Sequence, residues 1–264
     1  MLTPAPALEL DGVTRRFPAR YAYLPWFTAV QSLSFSVARG EFVSVVGPSG
    51  CGKSAILNLV AGLDHPTEGT VLLAGEKVTG PSQHVGFMLQ KDLLLPWRTI
   101  RHNVEFGLET RGLSAEARRD RAVKELKRCR LGEFGERYPY QLSGGQRQRA
   151  ALARTLAIDP DVVLLDEPFS ALDAQTKLVL QRGFAETIAT SGITTLLITH
   201  DLAEAVAMSD RILVMSERPG RIVEDITVDM PHRDNPLARQ SLGRARELMA
   251  HLFDALHLEE RVDD

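Results

Sequence analysis

The stretch "GPSGCGKS" at 47 to 54 has the residue types and the spacing that hold a phosphate chain. It satisfies the pattern G-x-x-x-x-G-K-S, follows the apolar run "EFVSVVG" and opens a helical pattern, which is the context that confirms such a loop. Glycines let backbone N–H groups converge on phosphate oxygens, while Lys53 can bridge the β- and γ-phosphates and the Ser54 hydroxyl can bind Mg²⁺. A turn that only joins strand to helix would leave Lys53 unexplained. The predicted nucleotide-binding residues of this loop are Gly47, Pro48, Ser49, Gly50, Cys51, Gly52, Lys53, Ser54 and Ala55.

Polar side chains follow three further apolar runs, at "VVLLDEP", "TTLLITH" and "HVGFMLQ". The first run ends in two carboxylates, of which Asp166 suits a water-mediated hold on Mg²⁺ and Glu167 suits polarising the attacking water. An Asp-Glu pair before a proline turn is unremarkable alone, but beside a phosphate loop it predicts a hydrolytic site at one sheet edge. His200 ends the second run and should reach the same edge, although a lone histidine there is more often structural. Gln90 ends the third and could reach Mg²⁺ or the water.

A second glycine-rich helix start, "LSGGQ" at 142 to 146, contains no lysine. Ser143 and Gln146 have the spacing of a capping box, which satisfies free N–H groups at a helix start. A capping box does not explain Gly144 and Gly145, because consecutive glycines cost helix stability. Bare N–H groups at a helix start also form an anion site. The segment is therefore predicted to cover the γ-phosphate of a nucleotide that is held on another phosphate loop.

The elements that must position these groups follow from the apolar patterning. Continuous apolar runs predict strands that are covered on both faces, and helical patterns separate them, which indicates an α/β domain with a mainly parallel sheet. The stretch from Lys91 to Pro160 has no convincing strand and is predicted to be an inserted helical subdomain. A C-terminal tail from Asn235 carries one apolar helical stripe, whose expected use is packing on its own domain, with regulation or contact between two subunits as alternatives. The predicted stripe comprises Leu242, Ala245, Leu248, Met249, Leu252, Phe253 and Leu256.

Length and charge limit the class of protein. The chain has 264 residues and a formal net charge of -3, which gives no reason to expect nucleic acid or an anionic membrane as a direct partner. Two cysteines are too few for a disulfide framework, and Cys51 is interpreted as a small tolerated side chain rather than a redox switch. The N-terminus lacks the pattern of a secretion signal, and no apolar stretch approaches the ~20 residues that span a bilayer.

In this order, "GPSGCGKS", Gln90, "LSGGQ", "LLDEP", "SALD" (170 to 173) and His200 resemble the ATP-binding subunit of ABC transporters, over most of the chain. The resemblance implies a P-loop NTPase core with an antiparallel β part near the N-terminus, within one domain whose core spans 1–90 and 161–234. It also implies a dimer with a second copy, in which each ATP lies between the phosphate loop of one subunit and "LSGGQ" of the other. The residues assigned to that contact are Leu142, Ser143, Gly144, Gly145, Gln146 and, across the dimer, Asp173. By the same resemblance Glu167 is the general base, His200 the switch at the γ-phosphate and Gln90 the link to a membrane subunit.

A finer resemblance rests on "LLPWRTIRHNVEFGLE" and "ERPGRIVEDITVDMPHRDNP", which look like the nitrate, aliphatic sulfonate and taurine importer group. It implies a role at the cytoplasmic face of the cell membrane, with permease subunits and, indirectly, a solute-binding protein as partners. The segment after Gln90 is then expected to receive the permease. The candidate contacts are Leu94, Leu95, Pro96 and Trp97. Trp97 alone suits the core of the helical subdomain equally well.

Two positions depart from the pattern of the family. Ala55 stands where many relatives have threonine, so one side-chain hydrogen bond to the α-phosphate is absent. The aromatic residue that stacks on adenine should be Phe17, but an apparent insertion after it offers competitors. These are Tyr21, Tyr23, Trp26 and Phe27.

Other functions explain fewer of the residues. A non-transport ABC-type ATPase, acting as a mechanical clamp in DNA repair or translation, needs long coiled coils or two cassettes in one chain. A P-loop kinase of a small metabolite gives "LSGGQ" no role. The sequence predicts an ATPase that powers uptake of a small solute such as taurine, an alkanesulfonate or nitrate, with ATP and Mg²⁺ as cofactors.

Overall fold

Two β-sheets and eight α-helices are present in the part of the chain that the structure, a computed structural model, describes: residues 5–18 and 26–257. The strands are β1 (Leu8–Phe17), β2 (Phe27–Val37), β3 (Phe42–Val46), β4 (Glu68–Leu73), β5 (Glu76–Lys77), β6 (Val85–Met88), β7 (Val162–Asp166), β8 (Thr194–Ile198), β9 (Arg211–Met215) and β10 (Ile222–Thr227). The helices are α1 (Lys53–Val60), α2 (Ile100–Glu105), α3 (Ala115–Arg128), α4 (Gly144–Ala157), α5 (Ala174–Ser191), α6 (Leu202–Met208), α7 (Pro236–Gln240) and α8 (Gly243–His257).

The larger sheet has six strands in the order β10-β9-β3-β8-β7-β6. All neighbours in it are parallel except β10, which runs antiparallel to β9. Its central strands are buried along their whole length, because helices or the second sheet cover both faces, as continuous apolar runs predict. The four apolar runs named in the sequence analysis form β3, β6, β7 and β8, which all lie in this sheet.

The smaller sheet is antiparallel, has the order β2-β1-β4-β5, and is built mainly from residues near the N-terminus. Its inner face packs on α1 and on the parallel sheet through one apolar cluster that includes Leu8, Leu33, Val71 and Leu57. At one end of β1, Phe17 pairs with Phe27 of β2. The predicted antiparallel β part is therefore confirmed.

Between residues 91 and 160 the chain forms α2, α3 and α4 with short 3₁₀ turns, and the structure describes no strand there. Thr99 caps α2 and Ser114 caps α3, each through a side-chain oxygen that accepts the backbone N–H three residues on. The three helices share an apolar core with α5, which joins the helical segment to the parallel sheet.

The C-terminal segment packs back onto the domain. Its apolar side meets α6 and β9 in a cluster that contains Ala245, Leu248, Leu252 and Ala255, and the expected packing of the tail is therefore observed. Phe253 differs from the predicted stripe, because 52% of its surface is exposed. The stripe is therefore shifted around the helix relative to the prediction, since Ala255 rather than Phe253 faces the domain. None of the helices in the described residues has the length and apolarity to cross a bilayer.

Candidate functional site

The polar groups predicted to do chemistry lie at the carboxyl ends of β3, β7 and β8, which are neighbours in the parallel sheet. The loop after β3 carries the phosphate-loop motif, β7 ends at Asp166, and His200 follows β8 by two residues. Parallel strands end at the same sheet edge, and this is where ligands of open α/β sheets bind. The fold thus brings these three predicted segments together.

The phosphate loop wraps around the side chain of Lys53. Lys53 Nζ donates to the carbonyl oxygens of Gly47 at 2.7 Å and Pro48 at 2.8 Å, and only 8% of the residue is exposed. These bonds keep the ammonium group inside the loop rather than in solvent. A cation held in this way at the start of α1 adds to the favourable field of the helix N-terminus for phosphate.

Two glycines of the loop are required by their surroundings. At Gly52, which caps α1 with φ +106, a Cβ would lie 2.5 Å from Val30 Cγ1 and 2.8 Å from the carbonyl oxygen of Ala29. At Gly47, a Cβ would lie 2.9 Å from Met215 Cβ. Both glycines therefore let the loop sit closely against β2 and β9, and Gly52 also has a backbone conformation that side-chain-bearing residues rarely adopt.

A pocket of about 260 Å³ opens above this loop. Ser49, Gly50, Gly52, Lys53, Ser54 and Ala55 form one wall, and Phe27, Ala29, Glu167, Ile198 and Arg218 form the rest. Ser54 is exposed at the start of α1, so its hydroxyl is accessible from this pocket. The pocket combines backbone N–H groups, two cationic side chains and a carboxylate, which suits a polyphosphate and a water molecule.

The two carboxylates after β7 differ in environment. Burial, and then the neighbouring Glu167, raise the pKa of Asp166, while Lys53 opposes the shift. A cation near Asp166 would offset both causes, and carboxylate and hydroxyl oxygens, such as those of Asp166 and Ser54, are ligands that Mg²⁺ accepts. Glu167 adopts the left-handed conformation at φ 46, and its N–H donates to the carbonyl of Ile198.

His200 contacts Glu167 directly, with 3.2 Å between His200 Nδ1 and Glu167 Oε2. The imidazole is exposed, whereas Glu167 is about one quarter exposed and lines the pocket. The imidazole of His200 and the carboxylate of Glu167 can therefore bind a water molecule or a phosphate oxygen together.

A buried ionic network lies behind His200. Asp201 caps α6, and Lys177 of α5 reaches Asp201 at 2.6 Å and Glu204 at 3.4 Å. Thr199 donates to Glu204 at 3.0 Å. Glu204 is 2% exposed, and its burial raises the pKa of the carboxyl to about 7. This network fixes the turn that presents His200.

Gln90 lies at the same sheet edge but does not line the pocket. Its Nε2 donates to Ser170 Oγ at 3.0 Å, and Ser170 Oγ donates to the carbonyl of Glu167 at 3.0 Å. On the other side, Gln148 of α4 donates to the carbonyl of Gln90. A chain of hydrogen bonds thus joins the helical segment to the backbone of Glu167.

The loop thiol, Cys51, is buried, with 1% of its surface exposed. Burial is the main cause that raises the pKa of Cys51, and the nearby Lys53 opposes it. A buried thiol with a raised pKa is a weak nucleophile, which supports the interpretation of a small tolerated side chain.

The "LSGGQ" segment opens α4 with a complete capping box. Ser143 Oγ accepts from the Gln146 N–H at 3.3 Å, and Gln146 Oε1 accepts from the Ser143 N–H at 2.9 Å. A Cβ on Gly145 would lie 2.7 Å from Thr176 Cγ2, so this glycine lets α4 approach α5. A Cβ on Gly144 would meet nothing closer than 3.8 Å, and packing within the chain gives no reason for that glycine. Leu142 is buried in the core of the helical segment.

Asp173 caps α5, since its carboxylate accepts from the Thr176 N–H at 3.0 Å, and this bond lowers the pKa of Asp173. Asp173 is exposed and lies away from the pocket lining.

Among the described aromatic residues, Phe27 rather than Phe17 lines the pocket. Phe17 lies opposite on β1, where the guanidinium of Arg15 covers its ring at 4.5 Å. Trp26 is 64% exposed, and Tyr21 and Tyr23 lie outside the described residues.

The segment after Gln90 is only partly exposed. Leu94, predicted to contact a permease, is 7% exposed and packs into the core of the helical segment, so it is not available as a surface contact. Its neighbour Leu93 is 53% exposed instead. Trp97 is 72% exposed, which excludes the alternative that it fills the core. Pro96 is exposed and Leu95 is half-buried.

Sequence reasoning missed Arg218 and the linking role of Ser170. Both lie in segments that the sequence does single out, "ERPGRI" and "SALD", but only for family resemblance. An arginine in a turn after a strand that ends at the site edge was the available signal for Arg218.

The fold and the site define an ATP-binding cassette. A family model described as ABC transporter matches residues 30–170, which is more than half of the chain. Together with the relatives below, this match shows that the chain belongs to the ABC transporter family as an ATP-binding subunit, an ATPase coupled to transport.

The similar proteins include one ABC transporter subunit that is described as uncharacterized and two that are named for the solute they help to import. The chain is 47% identical over 214 residues to the uncharacterized ABC transporter ATP-binding protein MJ0412 of Methanocaldococcus jannaschii, covering 81% of this chain and 79% of that protein. It is 43% identical over 224 residues to the nitrate import ATP-binding protein NrtD of Synechocystis, with 85% and 83% covered. It is 45% identical over 205 residues to the taurine import ATP-binding protein TauB of Yersinia pestis, with 78% and 80% covered.

Among solved structures, the chain is similar to the dimeric post-hydrolysis state of the ATP-binding cassette MJ0796 bound to ADP and Pi. The TM-score is 0.72 at 33% identity, with 84% of this chain and 99% of that chain covered. The predicted fold class, a P-loop core with a mainly parallel sheet and a helical insertion, is therefore confirmed.

Proposed function

We propose that this ATPase subunit energises the import of a small solute such as taurine, an alkanesulfonate or nitrate. The named functions of two relatives, nitrate import and taurine import, support this class of solute. The subunit would act on the cytoplasmic face of the cell membrane, bound to permease subunits that receive solute from a binding protein.

One observation carries the proposal: the "LSGGQ" helix start and the phosphate loop face different cavities of one chain. Gly144 lines a groove of about 470 Å³ with Gln90, Arg147 and Leu172, and that groove shares no lining residue with the pocket above the phosphate loop. A helix N-terminus of this kind binds an anion, and this one lies outside the pocket that would hold the nucleotide of the same chain. The segment therefore serves a nucleotide on a second copy of the chain, as in the ATP-sandwich dimer of transport ATPases.

The pocket supports hydrolysis in which Glu167 polarises the attacking water and His200 holds Glu167 and the γ-phosphate region. Lys53 and the loop N–H groups hold the phosphates. Ser54 and Asp166 would bind Mg²⁺, whose chemistry is to neutralise charge on the phosphate oxygens. Gln90 reaches this machinery through Ser170, which suits a residue that senses a partner bound outside the pocket.

The permease would bind at the exposed surface of the segment that follows Gln90, beside the groove that Gly144 lines. This segment carries three exposed apolar side chains, Leu93, Pro96 and Trp97. Exposed aromatic and apolar residues in one concave surface are typical of a protein–protein contact. Gln90 lines the same groove, so this contact would be adjacent to the chain of hydrogen bonds that ends at Glu167.

We propose the same division of the chain as the sequence indicates. The core comprises 1–90 and 161–234, the helical subdomain about 91–160, and the C-terminal tail 235–264. The hydrogen bonds of Gln90 with Ser170 and Gln148 lie at the boundary between the first two.

The decisive experiment combines a trapped dimer with a transport assay. Glu167→Gln should keep ATP binding, abolish hydrolysis, and elute as a dimer with ATP and Mg²⁺ but as a monomer with ADP. In vesicles that contain the permease subunits of the same transporter, the parental protein should hydrolyse ATP faster when the matching binding protein is added with its solute bound. Hydrolysis by Glu167→Gln at the parental rate would overturn the role of Glu167. An ATPase rate that rises with nucleic acid or ribosomes instead of a permease would favour the alternative function, a non-transport ATPase that acts as a mechanical clamp.

A further inference from the structure

Arg218 contacts the phosphate loop although it lies 168 residues after Gly50 in the sequence. Its Nε and NH2 groups donate to the carbonyl oxygen of Gly50 at 3.1 and 2.8 Å, and its guanidinium lies over the ring of Phe27, 4.2 Å from the ring centre. All three residues line the pocket above the loop. The guanidinium is thus held between an aromatic face and the backbone of the loop.

The turn that carries Arg218 is fixed by backbone hydrogen bonds. Gly220 donates to the carbonyl of Ala29 at 3.0 Å, and its own carbonyl accepts from Gln31 at 2.9 Å. The turn itself is closed by the Ser216 N–H, which donates to the carbonyl of Arg221. Because β2 and this turn are joined in this way, Arg218 and Phe27 keep their relative positions without a ligand.

The chemistry of the group fits a phosphate. A guanidinium is planar, always charged and carries five N–H donors, and the carbonyl of Gly50 uses only two of them. Lys53 is the other cation of the pocket, and it lies inside the loop, whereas Arg218 is exposed on the pocket wall beside Gly50. The pocket therefore carries two positive groups, one inside the phosphate loop and one next to it.

We propose that Arg218 is a phosphate-binding residue of the nucleotide site and that Phe27 orients its guanidinium. This inference rests on the proposed function of the pocket and adds a second cationic contact to it. The ligand chemistry is the terminal phosphates of a nucleoside di- or triphosphate. A structural role would consist only of tying the turn to Gly50.

The test compares nucleotide affinity among four variants of the full chain, by titration calorimetry with ATP and with ADP in Mg²⁺. Arg218→Gln removes the charge, and Arg218→Lys keeps the charge but loses the fork geometry. Arg221→Gln is the matched control, because Arg221 lies in the same turn but bonds to Gln31 at 2.7 Å instead of the loop. Lys53→Ala verifies that binding occurs at the phosphate loop. Thermal melting of each variant reports on the fold.

Arg218→Gln should weaken ATP binding at least tenfold, as expected for a charge-assisted hydrogen bond, with a melting temperature close to that of the parent. Arg218→Lys should recover part of that affinity, Arg221→Gln should bind like the parent, and the loss on Arg218→Gln should shrink as salt rises. Parental affinity in Arg218→Gln would overturn the proposal. So would equal losses in Arg218→Gln and Arg218→Lys, which indicate a tie to Gly50 only. If the parent itself binds no ATP, or Lys53→Ala binds normally, the proposed function of the pocket fails instead.

Discussion

The two glycines of "LSGGQ" should respond in opposite ways to the same one-methyl change. A new Cβ at Gly145 would lie 2.7 Å from Thr176 Cγ2, well inside van der Waals contact, whereas at Gly144 the nearest atom would be 3.8 Å away. Neither glycine has a positive φ, so alanine fits the backbone at both positions. Packing between α4 and α5 therefore requires a glycine at position 145 but not at position 144.

The expected magnitudes follow from these distances. Overpacking a tight contact costs about 1–3 kcal/mol, and alanine regains up to about 1 kcal/mol of helix propensity over glycine. Gly145→Ala should therefore lose about 1–2 kcal/mol of unfolding free energy, and Gly144→Ala should lose none or gain up to about 1 kcal/mol. The ATPase rate of Gly144→Ala should nevertheless fall, because in the proposed dimer its methyl group would occupy the space that the γ-phosphate held by the second copy enters.

Urea unfolding and ATPase rates of the two variants test this contrast. Gly144→Ala should be as stable as the parent and hydrolyse ATP at least tenfold more slowly. Thr176→Ser removes the clashing methyl group, so Gly145→Ala combined with Thr176→Ser should recover most of the lost stability. The reasoning is refuted if Gly144→Ala hydrolyses ATP at the parental rate, or if Gly145→Ala is as stable as Gly144→Ala.

Three further outcomes follow from buried polar groups and caps. Because the pKa of Glu204 is raised from 4.5 to about 7, the folded protein keeps a proton that the unfolded chain releases, and stability should fall as pH rises between those values. Glu204→Gln should therefore gain stability over the parent on going from pH 5 to pH 8, by up to about 3 kcal/mol in urea unfolding; a difference that does not change with pH would contradict this. Arg239, 1% exposed, donates to the carbonyls of Ser209, Met230 and Pro231, so Arg239→Met should lose about 3 kcal/mol or more, while exposed Arg244→Met should be within about 0.5 kcal/mol of the parent. Ser143→Ala removes the side-chain half of the α4 capping box and should cost about 1 kcal/mol, and a variant with unchanged urea midpoint would show that the box does not stabilise this helix.

The parallel sheet and the position of the phosphate loop could be predicted because they depend on local patterns. Continuous apolar runs mark buried strands, and each polar group at a strand end follows from the strand before it. The capping box at Ser143 was equally local. These features need no knowledge of distant parts of the chain.

The features that the sequence did not predict depend on contacts between distant segments. Arg218 meets Gly50 across 168 positions, and nothing in either segment encodes that meeting. Which of Phe17 and Phe27 lines the pocket depends on the pairing of β1 with β2 at the ends of the two strands. Leu94 was predicted as a surface contact and is buried instead, because an irregular segment has no periodicity from which to assign a buried side.

Helix α6 begins two residues after His200 and packs on α8, so the residue proposed as the γ-phosphate switch precedes a helix that the C-terminal segment supports. Truncation before Gly243 would uncover the apolar underside of α6, including Ala205 and Val206, which are now at most 1% exposed. Helix α8 thus stabilises the position of α6 although it lies more than 40 residues beyond His200 in the sequence. A protein that ends before Gly243 would keep every motif named above and yet lose the packing under the helix that follows His200.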